Sequence, residues 1–126
     1  MSRVAFVVVA GAVVALFVNW AIARPQYNTE FKGKYYKPDG TDVEKTFAEK
    51  VDIVKCMVCH GLNAQGKADR RILNDYGSAL GKLLNKQRNK QRIIAALDRV
   101  SKQKVPDGTD ETFGDRIKVG KLPGGE

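Results

Sequence analysis

The side chains best suited to chemistry are concentrated in one short segment, KCMVCHG, at residues 55–61. It contains Cys56 and Cys59, the only cysteines of the chain, and His60, its only histidine. Cysteines three apart on a helical turn share a face. Two such thiols can reach the two vinyl groups of one porphyrin, and the adjacent imidazole is then held near the iron. The C-x-x-C-H spacing therefore predicts covalent attachment of a haem.

Three other uses of these residues explain the segment less well. A zinc site needs four ligands as a rule, and the chain has no further cysteine or histidine to supply them. A thioredoxin-like dithiol lies near a βαβ pattern, which the sequence lacks. A disulfide between Cys56 and Cys59 would close too short a loop to stabilise the fold appreciably. Haem attachment is the leading interpretation, and zinc binding and dithiol chemistry are the alternatives.

The segment CMVCH resembles the haem-attachment motif of the c-type cytochromes. The resemblance covers roughly residues 41–119 in layout, but only these five residues carry it specifically. The motif follows an amphipathic helix and precedes a loop and further helices, as in the small single-haem class. The resemblance implies one covalently attached haem c, bonded to Cys56 and Cys59, with His60 as the proximal ligand of the iron. It also implies one-electron transfer rather than an enzymatic reaction.

The sequence does not identify the second axial ligand of the iron. The family's usual distal ligand is a downstream methionine, but Met57 lies between the two cysteines and no methionine follows it. Its absence predicts a lower haem potential than methionine ligation gives. The remaining candidates are a lysine, a tyrosine, a new α-amino group after Ala23, or an open site that binds water, CO, NO or peroxide. The side chains considered are Lys102, Lys104, Lys118, Lys121, Tyr76 and the tyrosines of residues 24–40.

None of these side chains is favoured as a ligand. Each lysine is more simply explained as a solvated surface charge, and Tyr76 as a core residue at helical spacing from Leu80 and Leu83. A peroxidase reaction is not expected, because the chain has no second histidine to build a distal acid–base pair.

Residues 4–23, VAFVVVAGAVVALFVNWAIA, form an almost uninterrupted apolar run behind Arg3. One interpretation is a signal peptide cleaved after the small-x-small sequence Ala21-Ile22-Ala23. The other is an uncleaved anchor, because about 20 residues suffice to cross a bilayer. In both cases the remainder is predicted to lie in the periplasm or on the outer face of the cytoplasmic membrane.

The rest of the chain is predicted to form an all-α, cytochrome c-like helical domain around the haem, at residues 41–126. Residues 24–40 contain four aromatic residues without visible helical periodicity, so we predict an extended arm that ends in a turn at Pro38-Asp39-Gly40. Apolar periodicity predicts helices from Thr41 into the cysteine motif and over residues 75–86, 90–102 and 112–119. Residues 61–67 are predicted to form a loop, and no strand pattern is recognised.

The charge distribution bears on partners. The chain has a net charge of +8, and eight basic residues between Lys82 and Lys104 are accompanied by only one acid, Asp98. Such a surface suits nucleic acid, anionic lipid or an acidic protein, or is simply solvated. Predicted export disfavours nucleic acid. We therefore expect acidic redox partner proteins, membrane association if residues 4–23 are retained, and, as an alternative role, a haem subunit of a larger membrane complex.

Overall fold

A computed structural model describes residues 24–125. The export segment predicted at residues 4–23 lies outside them. No helix within residues 24–125 has both the length and the apolar character needed to cross a bilayer. The elements are α1 (Arg24–Tyr35), α2 (Asp42–Val54), a 3-10 turn (Lys55–Val58), β1 (His60–Leu62), β2 (Ala68–Leu73), α3 (Asp75–Leu84), α4 (Lys90–Ser101) and α5 (Phe113–Lys118).

The prediction of an all-α, cytochrome c-like domain is wrong, because β1 and β2 form an antiparallel hairpin directly after the cysteine motif. Of the loop predicted at residues 61–67, Gly61 and Leu62 belong to β1, and residues 63–67 form the turn of this hairpin. The Asn63 side-chain oxygen accepts hydrogen bonds from the backbone N–H groups of Gln65 and Lys67, at 2.9 and 3.0 Å. Gly66 has φ 74°, a conformation that glycine adopts without strain. Asparagine and glycine thus close a tight turn between two short strands.

The extended conformation predicted for residues 24–40 is also wrong, because residues 24–35 form α1. The turn predicted at Pro38-Asp39-Gly40 is present, and the Gly40 N–H donates to the Lys37 carbonyl at 3.1 Å. Tyr27, Phe31 and Tyr35 recur every four residues and therefore lie on one face of the helix. Phe31 is buried, and its ring centroid lies 6.0 Å from that of Tyr76. The Tyr27 hydroxyl donates a hydrogen bond of 2.9 Å to the Gln87 carbonyl. The aromatic residues of the predicted arm are therefore part of the domain core.

The four helices predicted after residue 40 are present. A capping box begins α2: the Glu44 N–H donates to Thr41 Oγ1 at 3.3 Å, and the Thr41 N–H donates to the Glu44 carboxylate at 2.8 Å. Asn74 caps α3, Asn89 caps α4 and Thr112 caps α5. These local hydrogen bonds explain why the starts of the helices could be predicted from the sequence.

The core lies where the five helices of the described residues meet. Its largest fully buried side chains are Tyr76, Phe47, Phe113, Ile93, Leu97, Val51, Val100 and Pro123. Burying each large apolar side chain contributes about 1.5–3 kcal/mol to stability. The hairpin lies at the edge of this core, and every residue of β2 except Asp69 is exposed. The helical core therefore supports the cysteine motif from one side, while the hairpin covers it only partly.

Candidate functional site

Cys56 and Cys59 lie on the turn that follows α2. The helix ends at Val54, and Lys55 then has φ 51°, which redirects the chain. The Cys59 N–H donates to the Cys56 carbonyl at 3.3 Å, and both side chains are free thiols. Residues three apart overlie one another along a 3-10 turn. The two thiols nevertheless lie in different surroundings: Cys59 packs against the core, Cys56 is exposed, and neither is among the residues that form the cavity beside His60 described below.

The two cysteines differ in their exposure to solvent, and this affects the pKa of Cys59. Cys56 is exposed, whereas Cys59 is partly buried. Burial raises the pKa of the Cys59 thiol to about 12, and the neighbouring Cys56 adds to this rise. Cys59 therefore keeps its proton at neutral pH.

The His60 ring is oriented by a backbone carbonyl on the opposite strand. Its Nδ1 lies 3.2 Å from the Ile72 oxygen. A carbonyl can only accept, so Nδ1 must carry the proton for this hydrogen bond to form, and Nε2 keeps its lone pair. Metal-binding histidines characteristically donate their second ring N–H in this way. A register irregularity between His60 and Gly61, which is a bulge in the pairing with β2, accompanies this contact.

Asn74 connects the cysteine motif to α3. Its Oδ1 accepts from the Gly77 N–H at 2.9 Å, and its own backbone N–H donates to the Cys59 carbonyl at 3.0 Å. Its side-chain amide, Nδ2, donates toward three carbonyls of the motif at 3.0–3.3 Å: those of Met57, Val58 and His60. One side chain thus caps a helix and also binds the backbone that carries the motif.

Two glycines allow the backbone to approach this centre closely. A Cβ at Gly77 would lie 1.9 Å from the Cys59 carbonyl oxygen, and a Cβ at Gly124 would lie 2.2 Å from Asn74 Nδ2. Neither contact leaves room for a side chain. Helix α3 therefore packs directly on the motif, and the C-terminal segment packs on the side chain of Asn74.

A cavity of about 450 Å³ opens beside His60. Its walls come from α2, the 3-10 turn, β1 and the C-terminal segment, and they are formed by Lys50, Ile53, Val54, Met57, Gly61, Leu62, Asn74, Leu122, Gly124 and Gly125. Ile53 is 79% exposed, Leu62 60% and Leu73, which pairs with His60, 48%. Exposed apolar side chains therefore lie beside His60 and its cavity.

The residues considered as distal ligands lie elsewhere. Tyr76 is fully buried among aromatic rings, with its hydroxyl unpartnered, and burial strongly raises its pKa. Lys104 and Lys118 pair with Asp110 and Asp115. All four lysines considered are exposed, and neither they nor Tyr76 are among the residues that form the cavity.

Sequence reasoning missed several residues of the site, namely Lys50, Ile72, Asn74 and the C-terminal residues 122–125. Asn74 was recognisable as a helix cap, but the contact of its amide with the motif depends on tertiary structure. Within residues 24–125, no group of three or more histidine, cysteine or carboxylate side chains is arranged to hold a metal ion. The zinc alternative thus gains no support.

Comparisons of the chain with models of known families, with curated proteins and with solved structures found no match. Function is therefore argued from the site itself.

Proposed function

We propose that this chain is an exported c-type haem protein that transfers single electrons. Cys56 and Cys59 would hold one haem c through thioether bonds. Each thiol would add across one vinyl group of the haem, with sulfur bonding to one carbon and the hydrogen going to the other, so that no oxidant would be consumed. His60 would bind the iron through Nε2. The haem, when bound, supplies the change between ferrous and ferric iron.

The observation that carries this proposal is the placement of His60 between the Ile72 carbonyl and the cavity. The carbonyl accepts from Nδ1 and leaves Nε2 available. Cys56 lies in the short turn that precedes this ring, and Cys59 caps the end of that turn. A zinc ion or a redox dithiol would require no adjacent apolar surface, whereas a porphyrin does.

The exposed apolar side chains around His60 fit a large apolar group. Fully burying a leucine or isoleucine contributes about 1.5–3 kcal/mol. Scaled by the exposed fractions of Ile53, Leu62 and Leu73, covering these three residues would contribute roughly 3–6 kcal/mol. The same rim, where it stays open, offers an acidic redox partner an apolar surface close to His60.

The experiment is expression of the full chain in a bacterium that carries the extracytoplasmic machinery for covalent haem attachment. We expect a mass increase of one haem that survives acidic acetone extraction, and none in Cys56→Ser/Cys59→Ser. His60→Ala should keep the covalent group but change its axial-ligand spectrum. Wild-type protein without haem, in cells where a co-expressed c-type cytochrome matures, would refute the proposal.

A second candidate function, binding of CO or NO at an open iron face, is favoured by the composition of the cavity. Among the described residues, the cavity-forming side chains that can bind iron are, besides His60, those of Lys50 and Met57. Met57 lies between the two cysteines and cannot cross to the opposite face. Adding CO to the reduced protein distinguishes the functions: a spectral shift shows an open or weakly held face, and no shift supports electron transfer alone.

A further inference from the structure

Salt bridges leave the positive charge of the described residues unevenly paired. Cations of α1, α2, β2, α5 and the loop before α2 lie near carboxylates, as in the Lys37–Glu44 and Arg71–Asp69 pairs, at 2.8 and 2.9 Å. The only acid between residues 82 and 101, Asp98, pairs with a lysine of α1. Six basic side chains of this stretch have no carboxylate partner within residues 24–125: Lys82, Lys86, Arg88, Lys90, Arg92 and Arg99.

Two of these cations flank a groove between α3 and α4, of about 210 Å³. Its lining is mixed: Leu83 and Ala95 contribute apolar surface, Gln87 and the two arginines contribute polar surface, and Leu84 and Ala96 are almost completely buried. Ala95 lies on α4 between Arg92 and Arg99. The arginines are seven residues apart, so they lie two turns apart on one side of α4, with about 10 Å between their Cα atoms.

We infer that this α3–α4 groove docks an acidic amphipathic helix of a partner protein. Carboxylates spaced two turns apart on such a helix can meet Arg92 and Arg99, whose planar guanidinium groups bind carboxylates in a bidentate manner. An apolar side chain between them reaches the groove beside Ala95. This is the helix-in-groove mode of recognition, with charge complementarity at its rim.

A lipid surface fits the groove less well. Its apolar residues are recessed: Leu84 is 3% exposed and Ala96 5%. Side chains that insert into lipid must project from the surface. Nucleic acid needs cations but no apolar groove between two helices. The combination of unpaired arginines and a recessed apolar floor therefore favours a protein segment.

The groove is separate from the site of the proposed function. None of its residues forms the cavity beside His60. A partner docked between α3 and α4 therefore need not cover that cavity, and docking is expected with or without haem. The inference goes beyond the proposed function and stands independently of it.

The test uses two fluorescein-labelled helical peptides of glutamate and alanine, one with leucines along one face and one with alanines in their place. Wild-type protein should bind the leucine peptide more tightly. Arg92→Glu/Arg99→Glu should weaken this binding at least about tenfold, because like charges then face each other. The control Lys45→Glu/Lys118→Glu reverses two exposed lysines with the same change in net charge, and should alter binding by less than about threefold.

A third variant examines the groove at constant charge. Ala95→Gln places a longer polar side chain on an exposed helix position where glutamine is well tolerated. It should remove the preference for the leucine peptide while Arg92 and Arg99 still attract glutamate. Thermal unfolding followed by circular dichroism checks that each variant is folded.

Three outcomes would overturn the inference. Equal losses of peptide affinity in the arginine variant and the lysine control would mean that only the overall charge of the protein attracts the peptide. Equal affinity for the two peptides would remove the apolar groove from recognition. Absence of peptide binding, with binding to phosphatidylglycerol vesicles or duplex DNA that the arginine variant loses, would assign the surface to lipid or nucleic acid.

Discussion

Replacing Asn74 by aspartate separates the two roles of this side chain. Aspartate keeps an oxygen that can accept from the Gly77 N–H, and its charge suits a helix N-terminus. It replaces the amide with an oxygen that cannot donate to the carbonyls of the cysteine motif. If Asn74 were only a cap, the substitution would leave stability nearly unchanged. If its amide also holds the motif, stability must fall.

The contacts set the size of the expected effect. Loss of the cap alone costs about 0.5–2 kcal/mol. Leaving part-buried carbonyls without their donor costs about 1–3 kcal/mol. We therefore expect Asn74→Asp to lower the free energy of unfolding by about 1–3 kcal/mol. Asn74→Ala, which removes both roles, should lower it by about 2–4 kcal/mol.

The chain provides a matched control at Asn89. Its side chain caps α4 by accepting from Gln91 and Arg92, at 3.0 and 3.3 Å, and makes no amide contact comparable to that of Asn74. Asn89→Asp should therefore change stability by less than about 0.5 kcal/mol.

Urea unfolding of protein without haem measures these differences, and the rate of Cys59 alkylation in the native state measures whether the motif has loosened. The alkylation rate of Cys59 should be higher in Asn74→Asp than in wild type, and it should be unchanged in Asn89→Asp. Wild-type stability and alkylation in Asn74→Asp would refute the role assigned to the amide.

Three further changes test the surroundings of the motif. Gly77→Ala should destabilise the protein by more than about 2 kcal/mol, because its Cβ would meet the Cys59 carbonyl. The nearest atom to a Cβ at Gly81 lies at 3.9 Å, so Gly81→Ala should be neutral or stabilising by up to about 1 kcal/mol. Urea unfolding measures both changes. Phe31→Ala should cost about 3–5 kcal/mol in the same assay if α1 belongs to the core, and a cost typical of a surface residue would contradict this. The raised pKa of Cys59 means that the folded state keeps a proton that the unfolded state loses between about pH 9 and 12, so the contribution of Cys59 to stability falls as pH rises there. Between pH 8 and pH 10, the free energy of unfolding should fall less in Cys59→Ala than in wild type. Mass spectrometry after alkylation at pH 8 should find Cys56 modified before Cys59.

What could be predicted from the sequence is what depends on neighbours along the chain. The starts of α2 and α5 follow from capping boxes, in which Thr41 and Thr112 bind residues three positions later. The cysteine–histidine spacing depends only on local order. The prediction failed where the structure of a segment depends on contacts with residues far away in the sequence. In α1, Gly33 and the many charged residues obscured the four-residue spacing of its aromatics, which becomes decisive only when Phe31 enters the core.

The hairpin was missed for a related reason. Its turn residues, Asn63 and Gly66, were visible, but β2 does not alternate clearly between apolar and polar side chains. Its pairing with β1 is supported instead by the contact between His60 and the Ile72 carbonyl and by the Cys59 carbonyl, which accepts from the backbone of Asn74. These contacts join residues more than ten positions apart and cannot be inferred from a local pattern.

The side chains of the hairpin are mostly exposed, and this leads to a last prediction about how the hairpin changes when haem is bound. Segments with few buried side chains open with free energies well below that of global unfolding. Of the apolar residues around His60, only Leu62 and Leu73 belong to the hairpin, so covering them would oppose its opening by roughly 1.5–3 kcal/mol if the hairpin contacts the bound group. Amides of β1 and β2 should therefore exchange their hydrogens more slowly in the haem-loaded chain than in Cys56→Ala/Cys59→Ala.

Amides of α4 provide the internal reference, because this helix already packs in the core through Ile93, Leu97 and Val100. Their exchange should slow less than that of the hairpin amides. Equal slowing in both elements would mean that haem stabilises the whole domain without covering the hairpin. Unchanged hairpin exchange in chain that carries covalent haem would mean that Leu62 and Leu73 stay uncovered, and the group would then have to lie against α2 and the C-terminal segment alone.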